Sequence, residues 1–146
     1  FDQEGVSCQR RAIVEKGVVR GYFLSAYSAR KLGMQSTGNA GGNHNLLVTP
    51  TVRGDTALLA RQMGRGLIVS ELMGQGVNPV TGDYSRGAAG FWVENGEIAY
   101  PVSEITIAGN LLDLYQRIVA IGDDVDRRGS KLVGSLLIES MQIAGT

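Results

Sequence analysis

Hydrophobic and polar positions change period several times along the chain. Runs rich in β-branched and aromatic residues at 12–15 and 18–23 flank Lys16-Gly17. Two such runs around a short Gly-containing turn predict a hairpin. The arrangement returns at 91–94 and 97–100 around Asn95-Gly96, where both turn residues tolerate positive φ. The shared core, Val-Glu-(Lys/Asn)-Gly-x-(Val/Ile), is too short to establish an internal repeat and fits one turn chemistry used twice. Residues 25–32 predict a short helix, with Ser25 as N-cap and Gly33 as stop. From Met34 to Asn45 the chain is rich in Gly, Asn, Ser and Thr without apolar period, which reads as a loop. Leu46 to Thr49 predict a strand ended by Pro50, and 55–63 a helix capped by Asp55, with Leu58, Leu59, Gln62 and Met63 near one face.

Residues 66–72 read as a strand buried on at least one side, and 74–90 as a glycine-dense stretch leading into the second hairpin. Pro101 follows that hairpin's second strand, and 105–109 predict another short strand. The clearest helical stripe is Leu111, Leu114, Tyr115, Ile118 and Val119, which predicts a helix over 111–121 with Asn110 as cap. Residues 123–130 make a charged turn and 133–143 a final strand. The expected class is α+β, a mostly antiparallel sheet of short strands and hairpins with a few interspersed helices.

Composition narrows the function. Glycine supplies 21 of 146 residues, roughly twice its usual share. Only 3 prolines accompany them, and the glycines have no period, so neither collagen nor a linker fits. Fourteen basic residues balance 14 acidic ones, so the net charge is +0. Such a chain carries no net field to gather nucleic acid or anionic membrane. No apolar run approaches the roughly 18 residues of a membrane span. The length suits a single domain over 1–146. The start at Phe1, with neither Met nor a leader, reads as a piece of a longer protein whose N-terminal part is absent.

The chain has one cysteine, Cys8, and one histidine, His44. A lone cysteine builds no internal disulfide and reads as intracellular. Arg10 and Arg11 stand beside Cys8 and would favour its thiolate, although a small half-buried residue near a strand start is the plainer reading. His44, among Asn and Gly, is either an acid–base or donor group or a loop-packing residue. A zinc site from His and Cys alone is out of reach, and no His-Glu-x-x-His pattern occurs. Asp123, Asp124 and Asp126 offer cation oxygens, but Arg127 and Arg128 follow, which favours a self-neutralising solvated turn. The glycine-dense stretch lacks Gly-x-x-x-x-Gly-Lys-Ser/Thr and leads into a hairpin, which argues against a phosphate loop. Glycine also admits close approach of another backbone, as in a groove for an extended peptide. Tyr84 and Arg86 would hydrogen-bond such a backbone there, or else simply pack and solvate.

Several blocks together carry a resemblance. Tyr27-Ser-Ala-Arg-Lys-Leu-Gly-Met34, 36–42, Glu71-Leu-Met-Gly-Gln-Gly-Val-Asn78, 81–96, 105–110 and 121–126 resemble the PmbA (TldE) branch of the TldD/PmbA family. The block Gly82-Asp83-Tyr84-Ser85-Arg86-Gly87 is the most specific of them. Family members are about three times longer, so the resemblance implies the C-terminal part of one. It implies a cytoplasmic subunit of a two-protein metalloprotease that processes or degrades small or unfolded peptides, also labelled a modulator of DNA gyrase. In that pairing the TldD-like subunit carries the zinc or similar metal, through a His-Glu-x-x-x-His helix and a Cys near its C-terminus. This chain matches neither feature. His44 lies outside such a motif, 127–131 contain no Cys, and Cys8 lies at the opposite end. No catalytic, metal or cofactor residue is therefore carried over. The implied partners are a TldD-like subunit, or a second copy of this chain in its absence, and a peptide substrate, with neither membrane nor nucleic acid. The candidate peptide-cavity lining is Gly38, Gly41, Gly42, His44, Asp83, Tyr84 and Arg86. The alternative is a binding module that modulates DNA gyrase without proteolysis.

Overall fold

The structure, a computed structural model, describes residues 1–145. The chain divides into two compact units, Phe1–Leu46 and the residues from Leu47 on. In the first, β1 (Val14–Glu15) and β2 (Val18–Val19) form the expected hairpin around Lys16 and Gly17, both at positive φ. Helix α1 (Ala26–Lys31) follows. Ser25 Oγ accepts the Ser28 N–H, and Ser28 Oγ accepts the Ser25 N–H, so the helix start is doubly satisfied. The predicted loop is pinned by Thr37, whose N–H donates to the Leu24 carbonyl while its Oγ1 accepts the Leu24 N–H.

Strand β3 (Leu46–Leu47) lies at the boundary between the units. Helix α2 (Thr56–Met63) is capped by Asp55, which accepts the Ala57 and Leu58 N–H groups, and Gly64 (φ 71) stops it. Strands β4 (Gly66–Met73), β5 (Asp83–Glu94) and β6 (Glu97–Asn110) follow, then α3 (Leu111–Gln116) and β7 (Ile118–Ile121). The chain ends in β8 (Lys131–Leu132), whose Leu132 carbonyl accepts the Val48 N–H, then β9 (Leu136–Ile138) and β10 (Gln142–Ala144). The main sheet is antiparallel in the order β10-β6-β5-β4, and β7 pairs antiparallel with β9. The α+β class with hairpin-dominated antiparallel pairing is as expected.

Four expectations need correction. The glycine-dense stretch is not all turn, because from Asp83 onward it is strand β5. Its glycines mark close backbone approach, since a Cβ on Gly90 would collide with the Ile68 carbonyl of β4. The second hairpin is far longer than four residues a side, and Pro101 lies inside β6 opposite Phe91. Proline is tolerated there because β10 reaches only Thr106–Ala108, so β6 is an edge at that level. The helix predicted over 111–121 stops at Gln116, and Ile118–Ile121 is strand β7. Ile118, Val119 and Ile121 are β-branched, and the segment pairs with β9 through Ile118, Ala120 and Ile121, Val119 falling at a register shift. The final strand is two strands in two sheets, β9 and β10.

The three long strands share one irregular level. β4 slips register between Val69 and Glu71, and β5 between Ala88 and Gly90. Because Ala88 pairs with Ile105 and Gly90 with Val102, Ser103 and Glu104 together face Ala89. Glu104 adopts φ 56, a strained value for a residue with a Cβ. The Ser70 hydroxyl donates to the Ala89 carbonyl across this bend (3.3 Å). Beyond it, the Asn95-Gly96 turn has φ of 53 and 79, and the Gly96 N–H donates to the Gly64 carbonyl (2.7 Å), which ties the hairpin tip to the end of α2.

Two apolar clusters form the core of the second unit. Leu59, Ala120 and Leu137 pack with Val52 and Met63 between α2 and the β7–β9 pair. Ala88, Ile105 and Ile107 pack with Leu67, Tyr84, Val102 and Met141 on the main sheet. Each fully buried side chain of Leu or Ile size contributes roughly 1.5–3 kcal/mol.

Candidate functional site

The seven candidate residues fall in both units, three glycines and His44 in the first and Asp83, Tyr84 and Arg86 in the second. In the first unit the glycine loop wraps the N-terminal segment. Gly38, Gly41 and Gly42 all have positive φ. The buried Asp2 carboxylate accepts the N–H groups of Ala40, Glu4 and Val6, each at 2.9 Å. The Ala40 bond is the main cause that holds this carboxyl below its usual pKa, with burial opposing it and the Val6 and Glu4 amides adding to it. His44 Nε2 lies 3.0 Å from the Phe1 carbonyl oxygen, and Cys8 Sγ donates to the Gly38 carbonyl at 3.1 Å. Arg11 is engaged away from the thiol, donating to the Tyr22 carbonyl (2.6 Å) and to Asn39 Oδ1 (2.8 Å). These contacts make the loop a clasp on residues 1–8. Asp2 is its centre, and the sequence reading passed over it because a lone Asp after the first residue carries no pattern.

In the second unit Asp83, Tyr84 and Arg86 stand near the start of β5, beside the start of α3. The Asn78 side chain accepts the Val80 and Thr81 N–H groups and closes the turn before β5. Asp83 Oδ2 accepts the Thr81 hydroxyl proton at 2.6 Å. Asn110 caps α3 by accepting the Leu112 N–H (3.0 Å) and donates through Nδ2 to the Thr81 carbonyl (2.9 Å). The Leu111 N–H donates to the Gly82 carbonyl (2.7 Å), so this turn and the helix start are knit into one corner. A cavity of about 440 Å³ opens there, with Asp83, Tyr84, Asn110, Asp113 and Arg117 in its wall. Tyr84 also packs on the sheet cluster. Arg86 is outside that wall. Its Nη2 donates to the Leu72 carbonyl at 3.4 Å, and its buried Nε meets no acceptor among the described residues. Asn110 and Arg117 were missed as wall residues because the stripe over 111–121 marked them as cap and outward face.

The aspartates after β7 divide in two. Asp126 pairs with exposed Arg128 (2.8 Å), which brings its carboxyl down to about 2, as a self-neutralising turn requires. Asp123 and Asp124 instead fasten the fold. Asp123 Oδ1 accepts the Gly54 N–H (2.8 Å). Asp124 accepts the Ser135 N–H (2.8 Å) and hydroxyl (2.7 Å) and the Thr56 hydroxyl (3.2 Å). Desolvation opposes the Asp124 charge, but the Ser135 and Thr56 hydrogen bonds outweigh it and lower the pKa. A carboxyl depressed in the folded state stabilises above its unfolded pKa, and that stability is lost as pH falls through the folded value. The thermal midpoint is therefore expected to drop below about pH 4 more steeply in the native chain than in Asp124→Asn. Because Asp124 is exposed, the difference is about 2 °C, checked by thermal melts between pH 2 and 6; parallel curves would refute it.

The metal that the resemblance implies does not fit this chain's described residues. Among the described residues no three His, Cys, Asp or Glu side chains come together as a metal would need. Cys8 and His44 are each bound to a backbone carbonyl, and they meet different ones.

The family model described as the PmbA/TldA metallopeptidase C-terminal domain matches residues 1–145. The chain belongs to this family. It is 57% identical over 99% of its length to a metalloprotease PmbA homolog of Haemophilus influenzae, and 56% identical over 99% to metalloprotease PmbA of Escherichia coli O157:H7. It spans 32% of each of those relatives, about a third of their length. A solved structure from Thermotoga maritima MSB8, described as a candidate modulator of a DNA gyrase, superposes with a TM-score of 0.91 at 39% identity, covering 99% of this chain and 35% of that one. A Bacteroides thetaiotaomicron structure with a similar description gives 0.90 at 36% identity, covering 100% and 33%. The PmbA/TldD family domain thus spans both units of the fold, and α3 with its Asn110 cap, the long hairpin and the Asp124 fastening are parts of it.

Proposed function

We propose that this domain is a non-metal-binding component of a two-subunit cytoplasmic metalloprotease of the PmbA/TldD kind, and helps to enclose an extended peptide substrate. The observation that carries the reading is the match along residues 1–145 to a metallopeptidase domain, with relatives named metalloproteases at 56–57% identity. Metal-dependent bond cleavage falls to a TldD-like partner, and this chain contributes binding groups. Tyr84 and Arg86 suit that role, since a phenol and a guanidinium both hydrogen-bond peptide carbonyls without reading side chains. Asp83 completes the proposed lining within the second unit, and Gly38, Gly41, Gly42 and His44 are proposed as a separate peptide contact of the first unit.

The test is peptide cleavage by the full-length natural polypeptide, alone and with its TldD-like partner. Cleavage is expected only with the partner, and Tyr84→Phe, which keeps the packed ring, with Arg86→Ala is expected to lower turnover about tenfold, equivalent to about 1.4 kcal/mol. Unchanged turnover would remove both residues from the proposed peptide contact. The gyrase description of two solved relatives supports a second reading, a module that acts on gyrase directly. A supercoiling effect by the chain in the absence of any protease activity would favour it over the first.

A further inference from the structure

A second, larger cavity of about 970 Å³ lies entirely within the second unit. Every residue from Gly66 to Leu72 and every residue from Ser135 to Met141 borders it. Successive strand residues point to opposite faces, so a cavity resting on one face would touch alternate positions only. The unbroken run along β4, and the three consecutive residues of β9 within the second run, mean that the cavity borders the edges of these strands. Among the described residues β4 pairs only with β5, and β9 only with β7, so each has one free edge. Open space between two such edges leaves ladder N–H and C=O groups without strand partners and exposes apolar side chains. Leu136 is 45% exposed, Ile143 48% and Tyr115 64%.

We propose that an extended segment of the same polypeptide, lying N-terminal to Phe1, enters this gap as a strand and joins the edges of β4 and β9. Three observations select this occupant. First, a C-terminal domain that spans 32% of its relatives leaves about two-thirds of their length outside it. A tethered segment competes at an effective concentration of about millimolar, which no free peptide matches in a cell. Second, the eight residues of β4 extend over about 26 Å, which sets an occupant of comparable length. Third, among the described residues the charged side chains in the lining are Glu71 and Glu139, so the segment is aliphatic with a Lys or Arg facing each of them.

The test places a photo-crosslinking benzoylphenylalanine at Leu136, and separately at Val69, in the full-length natural polypeptide mixed from light and nitrogen-15 forms. A crosslink to a segment outside 1–146 with no mixed-isotope product is expected from both positions. Amide exchange in β4 and β9 is expected to be at least a hundredfold slower than in a freely exposed edge. Mixed-isotope crosslinks would assign the gap to a second copy, and crosslinks to an added peptide would assign it to substrate. Crosslinks within 1–146, or unprotected amides in both strands, would show that no segment fills it. Each of these overturns the proposal, and none bears on the cleavage assay above.

Discussion

Replacing Gly90 by valine is expected to cost the folded protein about 3 kcal/mol or more, read as a fall in the urea midpoint at unchanged slope. The reason is local. β4 and β5 run so close at this point that any Cβ would meet the Ile68 carbonyl. That oxygen is backbone, with no rotamer to give way, so relief requires the two strands to part. Parting them would undo the pairs Val69↔Gly90 and Ile68↔Phe91 beside the bend. Gly33→Ala is the contrast, because a Cβ there meets nothing within 4 Å and only its φ of 64 resists, costing about 1 kcal/mol. Equal losses at the two positions would show that β4 and β5 are not in this close register.

The second large effect is at Leu59. Leu59→Ala is expected to lower stability by about 3 kcal/mol, since a buried leucine truncation loses both transfer energy and the packing around the void. Leu59 is 4% exposed, and it packs with Ala120 and Leu137, so one side chain of α2 holds both strands of the β7–β9 pair. Leu112→Ala on α3 is the control. Leu112 is 68% exposed, and its truncation is expected to stay within about 0.5 kcal/mol. A small loss at Leu59 in chemical denaturation would mean that the β7–β9 pair does not depend on α2.

Local chemistry was legible in the sequence wherever it was decided within a few residues. Ser25, Asp55 and Asn110 were readable as caps, and Lys16-Gly17 and Asn95-Gly96 as turns, because the same residue supplies the hydrogen bond or the positive φ. What a distant partner decides was not legible. Ile118 and Val119 fit a helical stripe and a strand equally well, and β9, eighteen residues on from Ile118, chose the strand. Gly87 and Gly90 looked like loop glycines because nothing nearby in sequence announces the backbone of β4 beside them. Of the candidate site, Asp83 and Tyr84 share a cavity wall, whereas Arg86 stands outside it, because successive even positions on β5 reach different neighbours. Asp124 read as one of three turn acids, and its bonds to Thr56 and Ser135 depend on segments far from it in the chain.

The tie between Gly96 and Gly64 has a mechanical meaning. A long free hairpin unzips from its turn, where few contacts hold the ends of the ladder. Here the turn is anchored to α2, and the opposite end is held by β10 and α3. The weakest level is therefore the middle, where Ser70, Ala89 and Glu104 interrupt three strands at once. Breathing of this sheet begins at its waist rather than at its tip.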